Sequence, residues 1–108
     1  MTYQEIAGMV ESIGLPFAYY EFSEDTEQAP PFVCFYYPES DDFFADNQNY
    51  VGIRTLYVEL YVDEKDFALE QTVEGVLASN GLTYRKTDEY IESERMWQIT
   101  YQMEVILS

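Results

Sequence analysis

Between Arg54 and Val62 the sequence RTLYVELYV alternates strictly, with Leu56, Val58, Leu60 and Val62 on one side and Thr55, Tyr57, Glu59 and Tyr61 on the other. Period two over that length, in residues that are mostly β-branched or aromatic, specifies a strand with one buried face. A register slip of one residue would turn the whole apolar set toward water, so the stretch constrains everything paired with it. The polar run Asp63-Glu64-Lys65-Asp66 ends the alternation, and Asp63 is placed to cap a following helix.

The final segment repeats the pattern. Trp97, Ile99, Tyr101, Met103, Val105 and Leu107 share one face, and Gln98, Thr100, Gln102 and Glu104 the other. A second long strand with a single apolar face follows, packed by that face on helices. Two helices are expected. Thr2 and Glu5 have capping-box spacing, and Ile6, Met9, Val10 and Ile13 form the stripe of a helix from about Tyr3 to Ile13, stopped by Gly14 and Pro16. Leu69, Val73, Val76 and Leu77 form the stripe of the second, which ends at Asn80-Gly81. Phe67 falls on the polar side of that helix, so either its first turn departs from ideal geometry or Phe67 meets something outside the domain.

The remaining segments complete the order of elements. Phe17–Phe22 reads as a short strand, Ser23–Pro31 as a loop closed by two prolines, and Phe32–Tyr37 as a strand covered on both faces. Leu82–Thr87 reads as a strand that brings Arg85 and Lys86 together to pair with a neighbouring strand's acids, within or between subunits, and Asp88–Ser93 as a turn. The expected fold is a single α+β domain over residues 1–108, a mostly antiparallel sheet with two helices on one face, in the order α-β-β-β-α-β-β.

Charge narrows the functional classes. Asp and Glu outnumber Lys and Arg 21 to 5, giving −16, and no basic residue precedes Arg54. Such a field repels phosphates and anionic membranes, so the isolated protein is not expected to bind nucleic acid or a membrane surface. Solubility alone accounts for the charge equally well. Histidine is absent, which removes the commonest general base and zinc ligand. The single cysteine, Cys34, lies in an apolar run and reads as a core residue, so neither an internal disulfide nor a cysteine metal site is available. No phosphate loop, nucleophile elbow or dinucleotide fingerprint is present, and no cofactor or enzymatic activity is expected. The N-terminal stretch lacks the features of a signal peptide, which points to the cytoplasm.

Pro38–Asn49 (PESDDFFADNQN) is the longest stretch without a period. Loops of that length are often functional or ordered by a partner. Phe43 and Phe44 cannot both face inward from an extended loop, so Asp41, Asp42, Phe43, Phe44 and Asp46, together with Phe67, are the candidate subunit or partner contacts. One Phe tucked beneath the loop and the other at the core edge is the plainer alternative. The acids lack EF-hand spacing and read as a solvated cluster.

Several stretches together resemble a family of small proteins from tailed phages and prophages of Gram-positive bacteria, encoded among head-tail connection genes. They are Ala45-Asp46-Asn47 with Tyr50, Glu59–Asp66, Tyr90–Met96, Ser12–Pro16 with Ala18-Tyr19, and Pro30-Pro31-Phe32. The resemblance implies a structural subunit most like tail-terminator (tail-completion) proteins. These are α/β folds that assemble as rings, typically hexamers, capping the tail tube and meeting the head connector. It therefore implies a homo-oligomer with tail-tube and head-connector partners, present in the host cytoplasm during assembly and at the virion head-tail junction. An acidic decoy that mimics DNA and occupies a basic host protein is the rival from another class. A neck or capsid adaptor from the same gene region is a third reading.

Overall fold

The computed structural model describes residues 1–23, 28–38 and 52–107. Its elements run α1 (Tyr3–Glu11), β1 (Phe17–Tyr19), β2 (Phe32–Tyr36), β3 (Ile53–Val62), α2 (Phe67–Ser79), β4 (Arg85–Ile91) and β5 (Met96–Ile106). The five strands form one sheet in the order β1-β2-β3-β5-β4. β1 and β2 are parallel and every other neighbouring pair is antiparallel. This is the expected α+β architecture and the expected order.

The alternating segments become the middle of the sheet. β3 and β5 pair from Ile53 opposite Ile106 to Val62 opposite Trp97, which sets Leu56 against Met103, Val58 against Tyr101 and Leu60 against Ile99 on one face. β2 extends that face with Val33 opposite Leu60 and Phe35 opposite Val58. Ile6, Met9 and Val10 of α1 and Val73 and Leu77 of α2 join these strand residues in one core, so both helices lie on the same face. Leu69 and Trp97, expected in the core, are partly buried and pack against it.

The ends of the helices follow from local chemistry. Thr2 accepts a hydrogen bond from the Glu5 amide at 3.0 Å, and the Glu5 side chain accepts one from the Thr2 amide at 2.7 Å, closing the capping box. Helix α1 ends at Glu11, two residues short of expectation, and Gly14 takes the left-handed conformation at φ 92°. Helix α2 is capped by Asp66 rather than Asp63: Asp66 accepts from the Leu69 amide at 3.0 Å, whereas the Asp63 carboxylate reaches only the Glu64 amide at 2.9 Å. An Ncap side chain must stand three residues before an amide of the first turn. Asp66 meets that spacing once the chain has left the sheet edge, and Asp63 is still turning.

Two strand boundaries also differ from the sequence reading. β1 stops at Tyr19 because Tyr20 adopts φ 69°. β4 occupies 85–91, and the tight turn falls at 92–95, not at 88–93. Asp88 and Glu89 disfavour a strand by propensity, but β5 extends far enough to pair Asp88 with Ile99 and Tyr90 with Trp97. Leu82 and Tyr84 pack on the core just ahead of the ladder.

Leu60 is fully buried between strand and helix layers. Leu60→Ala is expected to cost about 2–5 kcal/mol of stability through the cavity it leaves. Chemical denaturation of the two proteins gives that difference, and equal stability would contradict the register of β3.

Candidate interaction surfaces

Of the six contact candidates read from the sequence, Asp41, Asp42, Phe43, Phe44 and Asp46 lie outside the described residues. Phe67 is placed. It is the first residue of α2, is 68% exposed, and has the Lys65 ammonium 5.3 Å from its ring centroid. The cap at Asp66 is regular, so exposure of Phe67 comes from its position on the helix and not from a distorted first turn.

Lys65 belongs to an ion-pair network along the edge of the helical layer. Its ammonium lies 2.9 Å from Glu70 and 2.8 Å from Asp88, and Lys86 lies 2.7 Å from both Glu70 and Glu74. The Tyr101 hydroxyl donates to Glu74 at 2.8 Å. Glu70 is 2% exposed. Burial would raise its carboxyl pKa, but hydrogen bonds from Lys86 and Lys65 outweigh that cost and hold it below the usual value. The hydrogen bonds that Lys86 donates to Glu70 and Glu74 raise its pKa well above that of an ordinary lysine. Lys86 thus pairs with helix acids and not with a neighbouring strand. Because Glu70 and Glu74 sit on α2, Lys86 and Asp88 on β4, and Lys65 on the segment leading into α2, the network joins α2 to β4, a structural role.

The opposite face of the sheet has no helix over it among the described residues. Register places Phe32, Cys34 and Tyr36 of β2 beside Tyr61, Glu59 and Tyr57 of β3 there, followed by Gln98, Thr100 and Gln102 of β5. Glu59 is only 7% exposed on this side. The Tyr61 hydroxyl donates to it at 2.8 Å and that of Tyr36 at 3.2 Å, while the Gln98 amide donates to Tyr61 at 3.0 Å. No cation among the described residues pairs with Glu59, so phenol donors carry the whole task of holding the carboxylate. Burial, together with Glu59, pushes the Tyr36 phenol up to about 12 and Tyr61 higher still.

Ring contacts knit this face together. Phe32 stacks on Tyr61 at 4.8 Å between centroids, Tyr36 meets Tyr57 at 5.2 Å, and Tyr20 meets Tyr36 edge-on at 5.3 Å. An open cleft of about 390 Å³ lies beside them, bounded by Phe22, Phe32, Tyr61, Glu21, Glu94 and Met96. Cys34 borders this cleft but is buried, and its thiol is pushed up to about 11 by burial first and by Glu59 and Glu21 next. That is the environment of an inert thiol, not a nucleophile. Among the described residues no group of three or more Cys, Asp or Glu is arranged to hold a metal ion, and no helix is long and apolar enough to cross a membrane.

Alternation alone identifies Thr55, Tyr57, Glu59 and Tyr61 as the polar side of the central strand and nothing more. The tyrosines either side of Glu59 were the available signal that its carboxylate has donors within one strand. The partners on β2 and β5 become visible only through pairing. Comparison of the chain with protein families, curated proteins and solved structures finds no match.

Two measurements test these assignments. Glu70→Gln is expected to cost about 1–3 kcal/mol at neutral pH, because two lysines lose their shared buried anion. Glu70 has a folded pKa below its ordinary value of 4.5, so its contribution is present above that value and disappears as pH falls through the folded pKa. The stability gap between wild type and variant should therefore close in acid, and a gap independent of pH would remove Glu70 from the network. For Cys34, a rise from 9.0 to about 11 leaves about a hundredfold less thiolate than an ordinary cysteine at the same pH. Disulfide-exchange labelling of the native protein should be slower than that of urea-unfolded protein, because the smaller thiolate fraction and burial of the sulfur both oppose attack.

Proposed function

We propose that this protein is a structural assembly subunit of a phage head-tail junction, a ring-forming protein of the tail-terminator type. The observation that carries the assembly reading is the sheet with helices on one face and a tyrosine-lined second face. Tyr36, Tyr57 and Tyr61 stand half-buried there with no layer above them among the described residues. Aromatic residues that combine apolar area with a hydroxyl are favoured at protein interfaces. The resemblance of Glu59–Asp66 and Tyr90–Met96 to head-tail connection proteins supplies the biological setting. The −16 charge supports it further, since a lumen through which DNA slides works best when it repels phosphate.

In this reading the uncovered face and the Pro38–Asn49 stretch meet neighbouring subunits, and the tail tube and head connector are the partners. A closed ring requires heterologous contacts, two different patches meeting around a rotation axis. Each copy adds −16, so assembly opposes a large repulsion that salt screens over a Debye length of about 8 Å at physiological ionic strength.

Light scattering across salt concentration, with electron microscopy of any large species, tests the proposal. Wild type is expected to form rings as salt rises or when tail-tube protein is added. Tyr57→Asp, on the uncovered face, and the double variant Phe43→Ser/Phe44→Ser are expected to weaken ring formation while keeping the wild-type circular dichroism. A protein that remains without rings under all these conditions and instead forms a stoichiometric complex with a basic DNA-binding protein would replace this reading with that of the acidic decoy.

A further inference from the structure

β4 ends the sheet, and every residue from Arg85 to Tyr90 is exposed. Among the described residues its outward N–H and C=O groups have no strand beside them, which is the usual template for pairing with another chain. The residues along this edge read Tyr84-Arg85-Lys86-Thr87-Asp88-Glu89-Tyr90. About Thr87 that order is antisymmetric in charge: two bases precede it, two acids follow it, and a tyrosine closes each end. We infer that β4 pairs antiparallel with β4 of a second copy, centred on Thr87, to make one continuous sheet across a two-fold axis.

The geometry selects this register. A two-fold axis normal to the sheet keeps the helices of both copies on one side, so directly opposed residues must share a face and the axis must pass through a residue position. With the axis at Thr87, Arg85 faces Glu89 of the second copy on the uncovered side, and Lys86 faces Asp88 of the second copy on the helical side. Moving the axis to Lys86 or to Asp88 sets a like-charged residue against its own copy, and parallel pairing in register opposes like charges along the whole strand. Like charges directly opposite are destabilising and opposite ones stabilising, so one register is favoured.

The side chains are available for it. Arg85 and Glu89 take part in no ion pair among the described residues. Asp88 stands at one end of the network that runs through Lys65, Glu70 and Lys86 to Glu74, and pairing of Lys86 with Asp88 across the axis would join the networks of the two copies into one. Tyr90 packs on Trp97 at 5.3 Å and is still 42% exposed. In a chain of −16, self-association needs local complementarity of this kind, because the long-range field opposes it.

The contact is independent of the ring proposed above, because an isologous pair closes on itself at two copies. Sedimentation equilibrium of the full chain near physiological salt is expected to show a reversible dimer. Arg85→Glu and Glu89→Arg should each weaken it by roughly tenfold, since two pairs per dimer change from attraction to repulsion, and the combined exchange should restore it. Thr87→Cys places two thiols opposite each other at a strand-pair separation that a disulfide spans. It should oxidise to a covalent dimer, with the wild type and its buried Cys34 as control. A monomer at every concentration, a dimer indifferent to both single reversals, or no crosslink at Thr87→Cys in a dimer would overturn the inference. Rings that assemble unchanged in Arg85→Glu and in Glu89→Arg, with no crosslink at Thr87→Cys, would leave the ring reading standing while this one falls; a reversal-sensitive dimer that never grows larger does the opposite.

Discussion

The ladder between β3 and β5 holds the rest of the molecule in place. It pairs the two longest strands over their whole useful length, and it sets the buried faces of both in phase. Leu56, Val58, Leu60 and Val62 meet Met103, Tyr101, Ile99 and Trp97, and the resulting surface is the floor on which both helices rest. β2 and β4 then add to its two sides, and their own faces are determined by that register. A slip of one residue would expose all of it, so the cost of an alternative pairing is spread over the whole core and not confined to one contact.

Charge scarcity shapes what surrounds this floor. With five basic residues against 21 acids, the protein cannot give each acid a cation. Both lysines are committed to one network, where Lys65 and Lys86 serve Glu70, Glu74 and Asp88 and join α2 to β4. Glu59, on the opposite face, is held by neutral donors instead, the hydroxyls of Tyr61 and Tyr36. Two buried carboxylates, Glu59 and Glu70, are therefore stabilised by different chemistry. One depends on lysines drawn from an edge strand and a connecting segment, the other on the aromatic residues of its own sheet. Among the 11 tyrosines, Tyr36 and Tyr61 thus have a structural use beyond apolar burial, since their phenols supply donors to a carboxylate that no lysine reaches among the described residues.

The two faces of the sheet differ in what they offer a partner. The helical face is closed by its core. The other face has an apolar, tyrosine-rich middle, and the edge strand beside both faces carries charges that change sign at its centre. A surface of that kind suits assembly, and an edge whose charges are complementary in only one register limits the ways in which copies can add. The ring proposal and the two-fold contact at β4 use different parts of this surface and make different symmetry demands.

Several features were legible in the residues alone because their causes are local. The capping box of Thr2 and Glu5 lies within one turn, Gly14 and Gly81 end helices through their own backbone freedom, and the period-two runs at β3 and β5 identify their buried faces without knowledge of a partner. The element order and the α+β class followed from these. Tertiary structure decided what depended on distant chain. Asp88 and Glu89 became strand because β5 reaches past them, and Asp66 displaced Asp63 as the cap because the turn off β3 takes three residues to complete. Exposure of Phe67 could be suspected from its side of the helix, but the Glu59 cluster required β2 and β5 to stand beside β3, since Tyr36 reaches Glu59 across 23 positions of sequence and Gln98 reaches Tyr61 across 37. Periodicity reports which face of an element is buried; only pairing and packing report which side chains meet there.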